Sequence, residues 1–263
     1  MTDYPTSIGT SDATSIQVLG QDLAGDLMGK VGFGELAFWL VTQRRPSAGQ
    51  LRVFEAVLVA LADHGLTPSA IAARLTLTGA PESVQGALAA GLLGGGSRFL
   101  GVTEDAGRFL DDALAEHVSD AGELPTTDQA FDDLARDAVL TRFADGGLVP
   151  GLGHPVHKNG DPRTPVLLRI ADEEGLRGPH LRLFEAVGRV HPEIIGRTLP
   201  LNGAGVCGAA LADLAIPIGI LRGVALLARA AGLLGHLAEE MRRPIGGQIY
   251  AAVDRSADYQ PPG

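Results

Sequence analysis

Apolar residues recur along most of the chain with the spacing of one helix face. In "LRVFEAVLVALADHG", Leu51, Phe54, Val57, Leu58 and Leu61 fall three or four apart. That interval places them on one stripe of a helix, which Gly65 stops. "PSAIAARLTLTG" and "PESVQGALAAGLLGGG" predict two shorter helices that end in glycine. "TTDQAFDDLARDAVLTRFADGG" opens on Thr and Asp, whose side-chain oxygens accept from the first N–H groups of a helix. It continues as an amphipathic body and stops at Gly-Gly. "TPVLLRIADEEGL" and "HLRLFEAVGRV" read the same way, and Glu104 and Asp105 open a further helix. "GAALADLAIPIGILRGVALLARAAGLLGHLAEEMRR" predicts two apolar helices with the break at Pro217 and Gly219. Alternation of period two is nearly absent, so the pattern predicts an all-α fold. The acidic stretch from Glu104 to Asp145 differs from its apolar flanks and is where a second lobe would begin.

Composition narrows the function classes. At 263 residues, 45% of them hydrophobic, the chain suffices for a substantial core in one or two domains. A net charge of −10 and the lack of a Lys/Arg cluster argue against a nucleic-acid partner. The single cysteine, Cys207, excludes an internal disulfide and fits a reducing, cytoplasmic location. The opening stretch "MTDYPTSIGTSD" is polar and does not read as a signal peptide. The most apolar segment, Ala209 to Leu234, is interrupted by Asp213, Pro217, Arg222 and Arg229; it reads as buried helices, and no membrane partner is expected. Zinc-type Cys/His spacing, a Walker loop and a G-x-S-x-G elbow are missing, and no metal is expected.

One stretch concentrates chemistry: "VPGLGHPVHKNGDPR", Val149 to Arg163. Two readings stand open on its residues alone. In the first it connects two helices, with Asp161 as N-cap and Pro162 as first helical residue of the second. In the other, its glycines expose backbone groups to a flat or anionic ligand. Lys158 then adds a point charge for a phosphate, His154 polarises a carbonyl or takes a hydroxyl proton, and Arg163 grips a carboxylate.

"GLGHPVHKNGDPR" resembles the G-x-G-H-x-V-x-K/R-x-x-D-P-R signature of the citrate synthase superfamily. The resemblance extends over nearly the whole chain. "GKVGFGELAFWLVTQRRPSAGQLRVFEAVLVALADHGLTPSAIAARL" looks like the N-terminal half of short members, and "LARAAGLLGHLAEEMRRPIGGQIY" like their C-terminal helix and tail. In size, and in "GSRFLGVTEDAGRFL", the chain is similar to the citryl-CoA lyase module at the end of ATP-citrate lyase. The resemblance implies a large helical domain (1–103 and 204–263) and a small one (104–203) around a cleft, usually in a homodimer. It implies coenzyme A, as acyl-CoA, and a small carboxylic acid as ligands. Val149, Pro150, Gly151, Leu152 and Gly153 match the loop whose backbone contacts the adenine, and Lys158 matches a position facing a CoA phosphate. His64 matches the acid-binding histidine, His154 the histidine on the substrate's carbonyl or hydroxyl oxygen, and Arg163 and Arg229 the two carboxylate-binding arginines. His64 and His154 are the expected catalytic groups. On the residues alone, His64 also reads as a helix C-terminal histidine and Arg229 as a surface arginine.

Three positions depart from the family pattern. Phe99 stands where most members carry the histidine that stabilises the thioester enolate, although the citryl-CoA lyase module departs there too. Ala204 stands where an aspartate moves the proton on the acetyl carbon. Gly247 stands where many members carry an arginine that crosses to the partner subunit and binds a distal carboxylate. Losing a positioned acid or base costs about 10²–10⁴ in rate. Cys207, His157 and His236 read as packing or surface residues. The expected activity is therefore cleavage or formation of a carbon–carbon bond in a 3-hydroxy-acyl-CoA through an acyl-CoA enolate, on an acid other than citrate. The alternatives are a CoA-thioester-binding homologue without catalysis and a thioester hydrolase on the same scaffold.

Overall fold

A computed structural model describes residues 3–262. Met1 and Thr2 of the polar opening stretch, and Gly263 at the end of the expected large domain, lie outside them. The chain opens with a small antiparallel sheet, β1 (Gly9–Ser11), β2 (Ile16–Val18) and β3 (Gln21–Asp22), followed by a π-type turn at Leu23–Leu27. The helices follow as α1 (Phe33–Thr42), α2 (Ala48–Ala62), α3 (Pro68–Gly79), α4 (Val84–Leu93), α5 (Val102–Ala121) and α6 (Asp128–Ala144). After the Gly-rich loop come α7 (Arg163–Glu173), α8 (Pro179–Ile195), α9 (Gly203–Asp213), α10 (Leu221–Arg242) and α11 (Gly246–Arg255). The all-α reading holds, with the exposed N-terminal sheet as an addition that the hydrophobic pattern did not signal.

Local chemistry sets the helix ends. Ser47 and Gln50 form a reciprocal capping box at α2, Thr67 caps α3 with Pro68 as its first residue, Thr127 caps α6, and Asn202 caps α9. Asp161 sits one residue further from α7 than expected: Pro162 takes the cap position, and the Asp161 side chain accepts from the Arg163 N–H. The break between the last apolar helices falls where Pro217 and Gly219 predicted it, with a 3-10 turn at Ile218–Ile220 leading into α10.

The larger core cluster joins α2 (Val53, Phe54), α5 (Leu110), α6 (Phe131), α8 (Phe184) and α9 (Leu211). It thus draws on residues from both expected domains. Helix α5 lies directly on α9, because Gly208 leaves no room for a Cβ against the Thr103 carbonyl. A second, smaller cluster joins α3, α4 and the later half of α10 through Ala73, Leu77, Ala87, Leu233 and Leu237. The helical stretch Ile218–Arg242 is long and apolar enough, by length and composition, to cross a membrane. Here α10 packs on α2, α3, α4 and α5 and carries the buried Arg229 and Glu240.

Candidate active site

Three segments meet at one place. Helix α2 ends at Ala62, and Asp63 is extended (φ −142°, ψ 156°), which turns the chain out of the helix. Gly65, at φ +73°, completes the turn and donates its N–H to Asp63 Oδ2 at 2.9 Å. His64 is held in this turn. The Gly-rich loop supplies the second segment. An antiparallel bridge pairs Leu152 with Leu201: Gly153 N–H donates to Pro200 O (2.8 Å) and Asn202 N–H to Gly151 O (2.9 Å). The Asn202 amide donates to Gly153 O at 2.8 Å while its oxygen caps α9. Gly151 and Gly153 have φ of +86° and +81°, and a Cβ on Gly151 would lie 2.6 Å from the Phe184 ring. The glycines therefore fit the loop to the α8–α9 corner first. The bonds that pin the loop leave the Leu152 carbonyl pointing away from Leu201. Lys158 is exposed. Helix α10 supplies the third segment, Arg229.

The structure brings His64, His154, Arg163 and Arg229 into one neighbourhood. The His64 and His154 rings are 5.3 Å apart. Burial first, then the Arg163 charge, pushes the His64 pKa below its ordinary value, and Arg229 adds to it. Burial likewise lowers His154. Both imidazoles are therefore neutral at neutral pH. His154 Nδ1 accepts from the N–H groups of Val156 (3.1 Å) and His157 (2.9 Å). That lone pair is used, so the neutral ring carries its proton on Nε2 and presents a donor.

The two arginines differ. Arg163 Nε and Nη2 donate to the two oxygens of Asp161 at 2.9 and 2.7 Å, and Nη1 donates to the Ala60 carbonyl at 3.1 Å. One N–H on each terminal nitrogen is left over. Burial raises the Asp161 pKa, but the Arg163 guanidinium and the N–H groups of Gly203 and Arg163 outweigh it and hold the carboxyl well below the usual range. A Cβ on Gly203 would collide with the Arg163 guanidinium, so glycine is required there. Arg229 is 5% exposed, and its Nε and Nη1 have no hydrogen-bond partner among the described residues. Its nearest acid, Asp63, is 4.0 Å away, and Asp63 is already bonded by His236 Nε2 (2.8 Å) and Gly65. Burial depresses the Arg229 pKa, Asp63 opposes this, and Arg163 reinforces it. A buried guanidinium with bare donors calls for an anion.

His157, a packing or surface residue on the sequence alone, belongs to the site. Its Nε2 is 3.2 Å from His64 Nε2, and its ring lies 4.4 Å from that of His154. The coordinating nitrogens of His64, His154 and His157 fall within 4.8 Å of one another, a cluster of a kind that can hold a metal ion, which the lack of zinc-type spacing did not suggest. The signal for His157 was local: two histidines three apart, in a loop whose second N–H bonds the first ring. His236 is also more than packing, since it links Asp63 to Arg74. Cys207 is fully buried and burial pushes its thiol up to about 12, which leaves it inert as an acid or base. Glu104 pairs with Arg108 and Arg222. Ala204 sits in the first turn of α9, and Phe99 is half exposed. A separate groove of about 510 Å³ between α5 and α6 reaches Pro150, but His64, His154, Arg163 and Arg229 do not line it. Its carboxylates, among them Asp112, Glu116 and Asp137, make it a poor seat for phosphates.

Comparisons with known proteins bear on the family and the fold. The family model described as "Citrate synthase, C-terminal domain" matches residues 13–250. The structure of citryl-CoA lyase from Hydrogenobacter thermophilus superposes with a TM-score of 0.85 at 27% identity, covering 99% of this chain and 95% of that one. ATP citrate lyase from Methanothrix soehngenii, solved with citrate and coenzyme A, gives a TM-score of 0.77 at 23% identity over 100% of this chain and 42% of that one. A probable ATP-citrate synthase subunit 1 from Schizosaccharomyces pombe is 28% identical over 229 residues. That match takes in 81% of this chain and 35% of the relative, so the chain spans about a third of the length of such curated relatives. With the fold, the Gly-His loop and the sequence match in agreement, the chain belongs to the citrate synthase family, in its citryl-CoA lyase-like branch.

Proposed function

We propose that the chain is a carbon–carbon lyase acting on a 3-hydroxy-acyl-CoA. The single observation that carries this reading is the buried Arg229 guanidinium, whose Nε and Nη1 are bare beside two neutral imidazoles. A substrate carboxylate supplies the missing acceptors, and the two remaining N–H groups of Arg163 complete its fork. His154, fixed as an Nε2–H donor, holds the oxygen that becomes the released carbonyl. In the cleavage direction, the bond between the hydroxyl-bearing carbon and the thioester α-carbon breaks, and its electron pair passes into the thioester enolate.

Coenzyme A as the carrier is supported by the relative solved with citrate and coenzyme A and by the loop. Outward backbone carbonyls such as that of Leu152 suit a purine amine, and exposed Lys158 suits a phosphate. Gly247 in place of an arginine points to an acid other than citrate, one with less distal charge. Closure of two domains over the site and assembly as a homodimer belong to the same proposal.

The test is incubation with citryl-CoA and a series of 3-hydroxy-acyl-CoA thioesters, with products separated by mass. The expected result is an oxo acid and an acyl-CoA in equal amounts from at least one thioester. Binding without cleavage of any of them would mark a non-catalytic homologue, and free CoA without a carbonyl product would mark a hydrolase. Either outcome overturns the lyase reading.

A further inference from the structure

Arg74, on α3, aims Nε and Nη2 at His236 Nδ1, at 3.2 and 3.1 Å. A guanidinium only donates, so His236 Nδ1 keeps a lone pair and the ring proton sits on Nε2. That N–H donates to Asp63 Oδ1 at 2.8 Å. The other Asp63 oxygen accepts from Gly65 N–H at 2.9 Å. The Asp63 side chain is 47% exposed, so these hydrogen bonds, and not core packing, fix where it points. Its Oδ1 stops 4.0 Å from Arg229 Nη1, one of the two Arg229 nitrogens without an acceptor among the described residues. A charge-assisted hydrogen bond forms at about 2.7–2.9 Å. A movement of about 1 Å therefore separates this arrangement from one in which Asp63 closes on Arg229.

We propose that His236 is a positioning residue for the carboxylate site: it holds Asp63 off Arg229, so that the guanidinium stays open for the substrate. The proposal rests on the reading of Arg229 as the holder of a substrate carboxylate. A buried guanidinium needs an acid in its vicinity, and Asp63 at 4.0 Å offsets part of the charge without filling the N–H groups. One step closer, Asp63 would take those same N–H groups, and an incoming carboxylate would have to break the pair to bind. His236 prevents this by giving Asp63 a competing donor. Arg74 sets the direction of that donor; with the ring proton on Nδ1, a lone pair would face Asp63 and release it. Arg74 is itself held by Glu240 at 3.0 Å and by Glu239. The restraint thus runs from Glu240 through Arg74 and His236 to Asp63, and ends one contact short of the ligand.

The test compares wild type with His236→Leu, His236→Gln and the double variant His236→Leu/Asp63→Asn by calorimetric titration. Two ligands are used. One is whichever of citryl-CoA and the carboxylate-bearing 3-hydroxy-acyl-CoA thioesters the wild-type chain binds most tightly; the other is acetyl-CoA, which has no free carboxylate. His236→Leu is expected to weaken the first ligand at least tenfold and to leave acetyl-CoA within threefold. His236→Gln keeps an amide that donates to Asp63 and an oxygen that accepts from Arg74, and is expected within threefold of wild type for both. The double variant removes the competing carboxylate and is expected to return the first ligand to within threefold of wild type. A loss under tenfold in His236→Leu, an equal loss for both ligands, a glutamine variant as weak as the leucine one, or a double variant that does not recover would overturn the role of His236 and leave Arg229 as the carboxylate holder. If Arg229→Met binds the first ligand within threefold of wild type, the reading of Arg229 fails and this inference falls with it.

Discussion

Two arginines packed about α10 are equally buried and oppositely treated. Arg74, 2% exposed, donates to Glu240 at 3.0 Å, to Glu239, and to His236 Nδ1. Glu240 in turn accepts from the N–H groups of Ile245 and Gly246 and so anchors the start of α11. Arg229, 5% exposed and on the same helix as His236, has two nitrogens, Nε and Nη1, without a hydrogen-bond partner among the described residues. The histidines divide in the same way. His180 lies between Asp213 (2.9 Å) and Asp111 (3.2 Å); although burial lowers its pKa, the two carboxylates raise it above the ordinary value. His64 and His154 lack such partners and fall below it. At Arg74 and His180 the chain supplies the counter-charge itself. Where it does not, the deficit marks the place for a ligand.

The comparison is most sharply broken at Arg74. Arg74→Met leaves Glu240 buried without its cation, and unfolding free energy by urea titration is expected to fall by about 3–5 kcal/mol. At Arg229 the expected effect is on binding. Charge-assisted hydrogen bonds contribute about 1.5–3 kcal/mol, so Arg229→Met is expected to weaken carboxylate binding by roughly 10- to 100-fold in a calorimetric titration of the substrate acid.

Acidity separates the two regions by sign. The folded pKa of His180 is raised, so its contribution to stability is complete below the unfolded value, near 6.5, and is lost as pH rises through the folded one. The folded pKa of His64 is lowered, so its contribution is present above about 6.5 and is lost as pH falls through the folded value. His180→Gln is expected to remove the decline of unfolding free energy above pH 6.5, and His64→Gln the decline below it. Parallel changes in the two variants would erase the distinction. The smallest expected effect is at Cys207. Cys207→Ala is expected to cost on the order of 1 kcal/mol in stability, from lost packing, and to leave turnover within twofold.

How far the chain could be read in advance follows the same line. The spans of α3, α6 and the break before α10 were legible because caps, prolines and apolar spacing are local signals. Pro68, Thr127 and Pro217 each act on their own neighbours. The sheet Gly9–Asp22 was not legible, since "GTS", "IQV" and "QD" are short, largely exposed strands with no apolar face to alternate. The loop motif located His154, Arg163 and the glycines. The sequence did not disclose that Asp161 occupies most of the Arg163 fork, that the His154 lone pair is spent on its own loop, or that His157 reaches His64 from 93 residues away. Those are facts of tertiary contact. The bare nitrogens of Arg229 likewise emerge only once every neighbour is known.

The central claim is that Arg229 is held for a ligand and not for the fold. The measurement that tests it most directly is the unfolding free energy of Arg229→Met without ligand, beside wild type and Arg74→Met. A stability equal to or above that of wild type is the expected result, because the substitution removes a buried charge whose Nε and Nη1 lack hydrogen-bond partners among the described residues and whose nearest carboxylate, Asp63, stands 4.0 Å away. A fall of about 3–5 kcal/mol, matching Arg74→Met, would make Arg229 a structural cation and contradict the account.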